Sequence, residues 1–136
     1  MELIPISWMT RRQCAVALSS TEAKYMALAQ ATREAVWLRR LLSDLGVPQS
    51  GPTTIFEDNQ AAIAIAKNPV HHDRTKHIDI QFHFTREKIQ EGVTDVRYCA
   101  SGDQLADAFT KALPRHPHVK YVQTLLHTHP SAKHVP

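Results

Sequence analysis

The spacing of apolar positions along this 136-residue chain changes several times, and each change marks an element. Residues 3–18 alternate loosely between apolar and polar and are rich in Val, Ile and Trp, which predicts a strand or a bent strand. From Ser19 the period lengthens. Leu28, Ala31, Ala35, Leu38, Leu42 and Leu45 recur at three and four residues, as on a helix with one apolar face. Ser19 and Glu22 stand at capping-box spacing at its start, and Gly46 with Pro48 ends it. A short strand follows at Thr53–Phe56, closing on Glu57-Asp58-Asn59, and then a small helix over Gln60–Lys67. The segment His77–Gly92 satisfies both periods. Ile78, Ile80, Phe82 and Phe84 alternate, whereas Ile78, Phe82 and Ile89 share a helical face, and the TREKIQEG ending decides for helix. Thr94–Cys99 is predicted as a strand and Ser101–Leu113 as a closing helix, with Ser101 and Gln104 again at capping-box spacing. Beyond Pro114, five histidines and three prolines predict a loose extension. Strands alternating with helices predict an α/β layer fold, with one domain over residues 1–113 and the His/Pro-rich extension over 114–136.

Composition changes this picture little. Apolar residues make up 43% and charged residues 21%, ordinary for a globular domain. No apolar run approaches the roughly 20 residues of a membrane span. The start, MELIPISWMT, has neither a basic region nor a long apolar one, so no secretory leader is expected. Cys14 and Cys99 are far apart beside apolar residues and are expected to be reduced thiols, consistent with the cytoplasm or nucleus. The net charge of +3 invites a nucleic-acid reading, but its distribution weakens it. All 13 Asp/Glu precede residue 114, and three of the 16 Lys/Arg (Arg115, Lys120, Lys133) follow it, so residues 1–113 are neutral.

Three carboxylates occupy similar places. Glu22 lies in the first turn of a helix, Asp58 at the C-terminal end of a strand, and Asp107 in the first half of the last predicted helix. Strand ends and helix starts converge at one edge of an open α/β sheet, where ligands bind in such folds. Hard divalent cations need oxygen ligands, and a two-metal site can activate water and stabilise a leaving phosphodiester oxygen. Each residue has a plainer role open to it: Glu22 completing the capping box, Asp58 capping a helix, Asp107 as a solvated charge. From position alone the plainer set is favoured.

Longer motifs alter that weighting. The strings SSTEAKYMAL, EAVWLRRLL, EDNQAAIAIAKNPVHHDRTKHIDIQFHFTREKI and DQLADAFTKAL closely resemble the ribonuclease H region of copia-type LTR retrotransposon Pol polyproteins, in order, over about residues 5–113. The resemblance implies a ribonuclease H-like three-layer α/β fold with a mixed sheet. It implies Mg²⁺- or Mn²⁺-dependent hydrolysis of the RNA strand of an RNA–DNA hybrid. It also implies metal-binding carboxylates at Glu22, Asp58 and Asp107, and a reverse transcriptase segment of the same polyprotein as partner. The family's domain begins with a strand bearing a further catalytic Asp, then a second strand, before the Ile6-Ser7-Trp8 segment. Here Met1–Pro5 precede it, with Glu2 their one acidic residue, so these two strands are expected to be absent and the exposed sheet edges to favour self-association. The loop Tyr98–Gly102 lacks the His that many ribonucleases H carry there. The chain alone is therefore expected to be inactive, and a non-catalytic remnant or co-opted binding module is the alternative.

Other features are weaker. Glu57 precedes Asp58 and, if the strand continues, points to the opposite face, so no catalytic role is expected for it. Arg74 and Lys76, beside His71 and His72, form the best local basic cluster, with Arg11 and Arg12 second, as candidate phosphate contacts. The histidines lack a companion Cys and do not predict zinc. Trp37 is expected in the core of the first helix, and Trp8 is left open.

Overall fold

A computed structural model of the chain describes residues 5–13, 15–68 and 76–126. The longest element is α1, Ser20–Asp44, and both of its ends are set by sequence. Ser19 is the N-cap; its hydroxyl accepts the Glu22 N–H at 3.1 Å. At the other end Gly46 adopts φ +80°, so that Gly46 N–H reaches Ser43 C=O and Val47 N–H reaches Leu42 C=O. This closes the helix with a left-handed residue where a side chain would be strained. Gly92, at φ +69°, ends α3 (Lys76–Gln90) in the same way.

Between these helices lie β1, Thr53–Glu57, and α2, Gln60–Lys67; after them comes β2, Thr94–Tyr98. Strands β1 and β2 pair in parallel, from Thr53 opposite Thr94 to Glu57 opposite Tyr98. The connection through α2 and α3 is the long crossover a parallel pair requires. The described sheet has these two strands, so each keeps one edge without a strand partner among the described residues. The order, bounds and α/β character of these elements follow the sequence reading closely, and the ambiguous 77–92 segment is helical.

The core is made where α1, α2 and α3 cover one face of the sheet. Tyr25 and Leu28 from α1, Ala62 and Ala66 from α2, and Val96 from β2 are buried, with Ile55, Ile63, Ile65, Phe82 and Ile89 packed around them. The alanines let α2 approach closely, and the Tyr25 and Phe82 rings lie 4.0 Å apart between centroids. The distal half of α1 leaves this core. Trp37 is 56% exposed there, contrary to the core position expected of it, because it faces away from buried Leu28 and Ala35. What ties that half down is Arg39, whose guanidinium donates to the carbonyls of Gln49 and Gly51 and to the Thr53 hydroxyl.

The described residues divide into two compact units: residues 13–101, which contain everything above, and a second unit of residues 5–12 and 102–126. Three expectations are corrected in or near the second unit. The described part of residues 3–18 contains no strand, and Ile6 and Trp8 are more than two-thirds exposed; an alternating pattern gains little without a neighbouring strand to hydrogen-bond with. The predicted closing helix is instead two short 3₁₀ turns, Ser101–Asp103 and Leu105–Phe109. Gln104, extended between them, makes no side-chain cap, so the capping box foreseen for Ser101 and Gln104 does not form. Finally, residues Arg115–Leu126 form helix α4 where composition suggested a loose extension. Pro117 falls in its first turn, where the missing N–H costs nothing, and buried Tyr121 anchors it by donating to Gly102 C=O at 2.7 Å.

Candidate functional site

The site begins where β1 stops. The strand ends at Glu57, Asn59 caps α2 by accepting the Ala62 N–H, and Asp58 occupies the bend between them. Asp58 is thus not the helix cap; that role falls to its neighbour. Because the strand does not continue, side-chain alternation fails at this point, and Glu57 does not point away as expected. Its Oε1 accepts the Asn59 N–H at 3.0 Å, and its carboxyl meets that of Asp58. Glu57 is almost fully buried. It is the residue that sequence reasoning set aside, and the Glu57-Asp58-Asn59 turn was the signal for it.

Asp58 is paired with Lys24 from the second turn of α1. Lys24 Nζ approaches Oδ1 to 2.6 Å; the Asp58 side chain is 8% exposed and that of Lys24 33%. Oδ1 is buried, and the ammonium against it forms a close ion pair. Burial pushes the Asp58 carboxyl up, but Lys24, Glu57 and the Ser101 hydroxyl together outweigh it and hold Asp58 below the usual carboxylate range. Glu57 moves the other way. Burial and the neighbouring Asp58 push it up, against the Asn59 amide and Lys24. The contact between them thus moves the two carboxyls in opposite directions, Asp58 down and Glu57 up.

Glu22 sits two residues before Lys24, in the first turn of the same helix. Its buried carboxylate accepts the Leu18 N–H at 2.5 Å, while its own N–H is capped by Ser19. The structural role weighed for Glu22 is therefore present, reaching one residue further back than a standard capping box. Asp107 belongs to the second unit, in the 3₁₀ turn Leu105–Phe109, where its Oδ2 pairs with Lys111 Nζ at 2.9 Å and its carbonyl accepts from Thr110 and Lys111. Within each unit, no three His, Cys, Asp or Glu side chains of the described residues gather as a set able to hold a metal. What the residues 13–101 bring together is the Lys24–Asp58–Glu57 assembly, with Glu22 on the adjoining turn.

Of the basic candidates, Arg11 and Arg12 are exposed and Lys76 opens α3; Arg74 lies outside the described residues, as do Cys14, His71 and His72. No described helix is long and apolar enough to cross a membrane.

Glu57 and Asp58 present adjacent carboxyl groups, largely removed from water, at the C-terminal end of a parallel strand, and the Lys24 ammonium lies against Asp58; oxygen donors of this kind are the type that a hard divalent cation takes.

No protein-family model matches the chain, and no solved structure matches it. The chain is 43% identical over 111 residues to a retrovirus-related Pol polyprotein from transposon RE2 of Arabidopsis thaliana, covering 82% of this chain and 8% of that protein. It is 40% identical over 110 residues to the corresponding polyprotein of transposon TNT 1-94 from Nicotiana tabacum, covering 81% and 8%. A shorter stretch of 33 residues is 64% identical to a secreted RxLR effector protein of Plasmopara viticola, covering 24% of this chain and 23% of that protein. Over four-fifths of its length, the chain is homologous to a segment of retrovirus-related Pol polyproteins of plant transposons and spans less than a tenth of their length.

Proposed function

We propose that this chain is a ribonuclease H segment of a copia-type retrotransposon polyprotein, serving Mg²⁺- or Mn²⁺-dependent hydrolysis of the RNA strand of an RNA–DNA hybrid. The observation that carries the reading is the buried Glu57–Asp58 carboxyl pair at the C-terminal end of β1, at a position that the resemblance assigns to a metal ligand. Asp58, held below the usual carboxylate range, would be a ligand, and the resemblance assigns the same role to Glu22 and Asp107. When bound, the divalent ions would supply charge stabilisation at the phosphodiester oxygens. Arg11, Arg12, Arg74 and Lys76 would contact hybrid phosphates, setting position rather than sequence. The reverse transcriptase segment of the same polyprotein is the proposed partner in the chain, and the unpaired edges of β1 and β2 are where a further strand, or a second copy, would add. The proposed setting is the cytoplasm or nucleus.

A second reading has specific observations in its favour. Lys24 lies on the Asp58 carboxylate, Glu22 is engaged by Leu18 N–H, and part of the sequence recurs outside Pol polyproteins. These suit a non-catalytic module that keeps the fold and binds nucleic acid or protein. The two readings separate by hybrid cleavage. The chain joined ahead of Pro5 to an Asp-bearing hairpin of the family should cut the RNA strand with Mg²⁺ or Mn²⁺, stop with EDTA, and lose cutting in Asp58→Asn or Asp107→Asn. A well-folded fusion that never cuts decides for the module.

A further inference from the structure

We propose that the exposed face of α4 is a contact for the phosphate backbone of nucleic acid, distinct from the candidate carboxylates and independent of any metal. The inference rests on the ribonuclease H reading for the choice of nucleic acid among polyanions, and on charge and helix geometry for the surface itself.

Charge is segregated along the chain. Residues 13–101 carry ten Lys/Arg and ten Asp/Glu and are neutral. The described second unit, residues 5–12 and 102–126, carries five Lys/Arg (Arg11, Arg12, Lys111, Arg115 and Lys120) against two carboxylates, Asp103 and Asp107. No acidic residue follows Asp107 in the sequence. A local excess of this kind attracts a polyanion whatever the balance of the larger unit.

Tyr121 decides where α4 presents its share of that excess. It is 2% exposed and its hydroxyl donates to Gly102 C=O, which fixes the roll of the helix. At roughly 100° per residue, the side opposite Tyr121 carries Arg115, His116, Val119, Lys120 and Gln123, and all five are exposed. Two cations, an imidazole and an amide thus share one face without a carboxylate of the helix itself. No described carboxylate pairs with Arg115. Lys120 Nζ meets Asp103 at 2.7 Å, yet its side chain is 55% exposed. An ammonium has three N–H donors, so a phosphate oxygen can be added to Lys120 while the pair with Asp103 persists. A membrane suits this face poorly, since Val119 is its one apolar side chain and it has no aromatic anchor.

The test uses the whole 136-residue chain in EDTA and a fluorescently labelled RNA–DNA hybrid, with binding read by anisotropy over a range of salt. Binding should weaken as salt rises and be equal for a hybrid of unrelated sequence. Arg115→Gln should weaken it roughly five- to tenfold at about 0.1 M salt and reduce the salt slope by about one, as loss of one phosphate contact does. Lys120→Gln should act in the same direction. Asp103→Asn, which removes the carboxylate beside Lys120, should tighten binding, a gain that misfolding cannot produce. Arg97→Gln, the same charge change at an exposed position of residues 13–101, should bind as the unmodified chain does. No binding by the unmodified chain, unchanged binding by Arg115→Gln, an equal loss in Arg97→Gln, or no gain in Asp103→Asn overturns the proposal. So does tighter binding to phosphatidylserine vesicles or to polyglutamate than to the hybrid. A chain that binds in this way, but whose hairpin fusion never cuts, keeps this inference and loses the nuclease reading. A fusion that cuts while Arg115→Gln binds normally loses this inference alone.

Discussion

Tyr25 offers a quantitative check of the core. Its side chain is 1% exposed, its ring packs on Phe82, and its hydroxyl donates to the Phe82 carbonyl at a long 3.3 Å. Burial pushes the phenol from 10.0 to about 12, partly offset by the Thr85 hydroxyl and the Arg86 guanidinium. A phenol held protonated in the fold stabilises it fully below the unfolded value near 10, and that contribution fades as pH rises toward 12. Over the whole window it amounts to about 2.7 kcal/mol, and about 1.4 kcal/mol is lost between pH 8 and pH 11. Tyr25→Phe removes the titration and keeps the ring. Urea unfolding at the two pH values should therefore show the unmodified chain losing about 1.4 kcal/mol more than Tyr25→Phe, a midpoint difference of roughly 0.5–1.4 M at usual denaturant slopes. Changes in lysines and in the other tyrosines are common to both proteins and cancel. Parallel losses in the two proteins would mean that the hydroxyl reaches water, and the packing of α1 on α3 would have to be redrawn.

Glu22→Gln keeps an acceptor for Leu18 N–H but gives up its charge near the α1 N-terminus, so it should cost about 0.5–1 kcal/mol, against roughly 1.5–2.5 kcal/mol for Glu22→Ala by chemical denaturation. Equal costs would show that the hydrogen bond contributes nothing. Gly46→Ala should destabilise by about 1 kcal/mol because of its positive φ, while Gly51→Ala, with open space and an ordinary backbone, should be neutral or slightly stabilising in the same melts. Trp37→Gln should shift stability by less than about 0.5 kcal/mol, as befits an exposed position; a loss of several kcal/mol would place the indole in a core after all.

The parts of this fold that were legible in sequence are those written locally. The Ser19 cap, the Gly46 stop and the Gln60–Lys67 helix each follow from residues within a few positions of one another. What was missed depends on distant partners. Residues 3–18 alternate as a strand does, yet a strand forms only against another. Trp37 shares a helix with core residues but lies on its opposite side, beyond the reach of α2 and α3. The Ser101–Gln104 pair has capping spacing, but the chain extends at Gln104, and the Ser101 hydroxyl serves Asp58 instead. Among the candidate residues, the resemblance singled out Glu22, Asp58 and Asp107, while the contact of Glu57 with Asp58 was hidden because strand alternation was carried one residue past the end of the strand.

A common feature of the three predicted carboxylates is that each has a partner supplied by the chain itself: Leu18 N–H for Glu22, Lys24 for Asp58, Lys111 for Asp107. Carboxylate oxygens taken from water need such compensation, since an unpaired buried charge costs more than most single contacts return. The partners differ in how readily they yield. Lys24 and Lys111 are side chains with exposed surface, and a surface ion pair such as Asp107–Lys111 contributes little to stability. Leu18 N–H is backbone, and Glu22 can turn toward a metal only with its other oxygen or by giving up the turn that starts α1. The order of metal response should follow: Asp58 first, once Lys24 moves, and Glu22 last. If Glu22 proves the most responsive of the three to Mn²⁺, the helix start is softer than its cap implies, and the balance between structural and catalytic roles at that residue reverses.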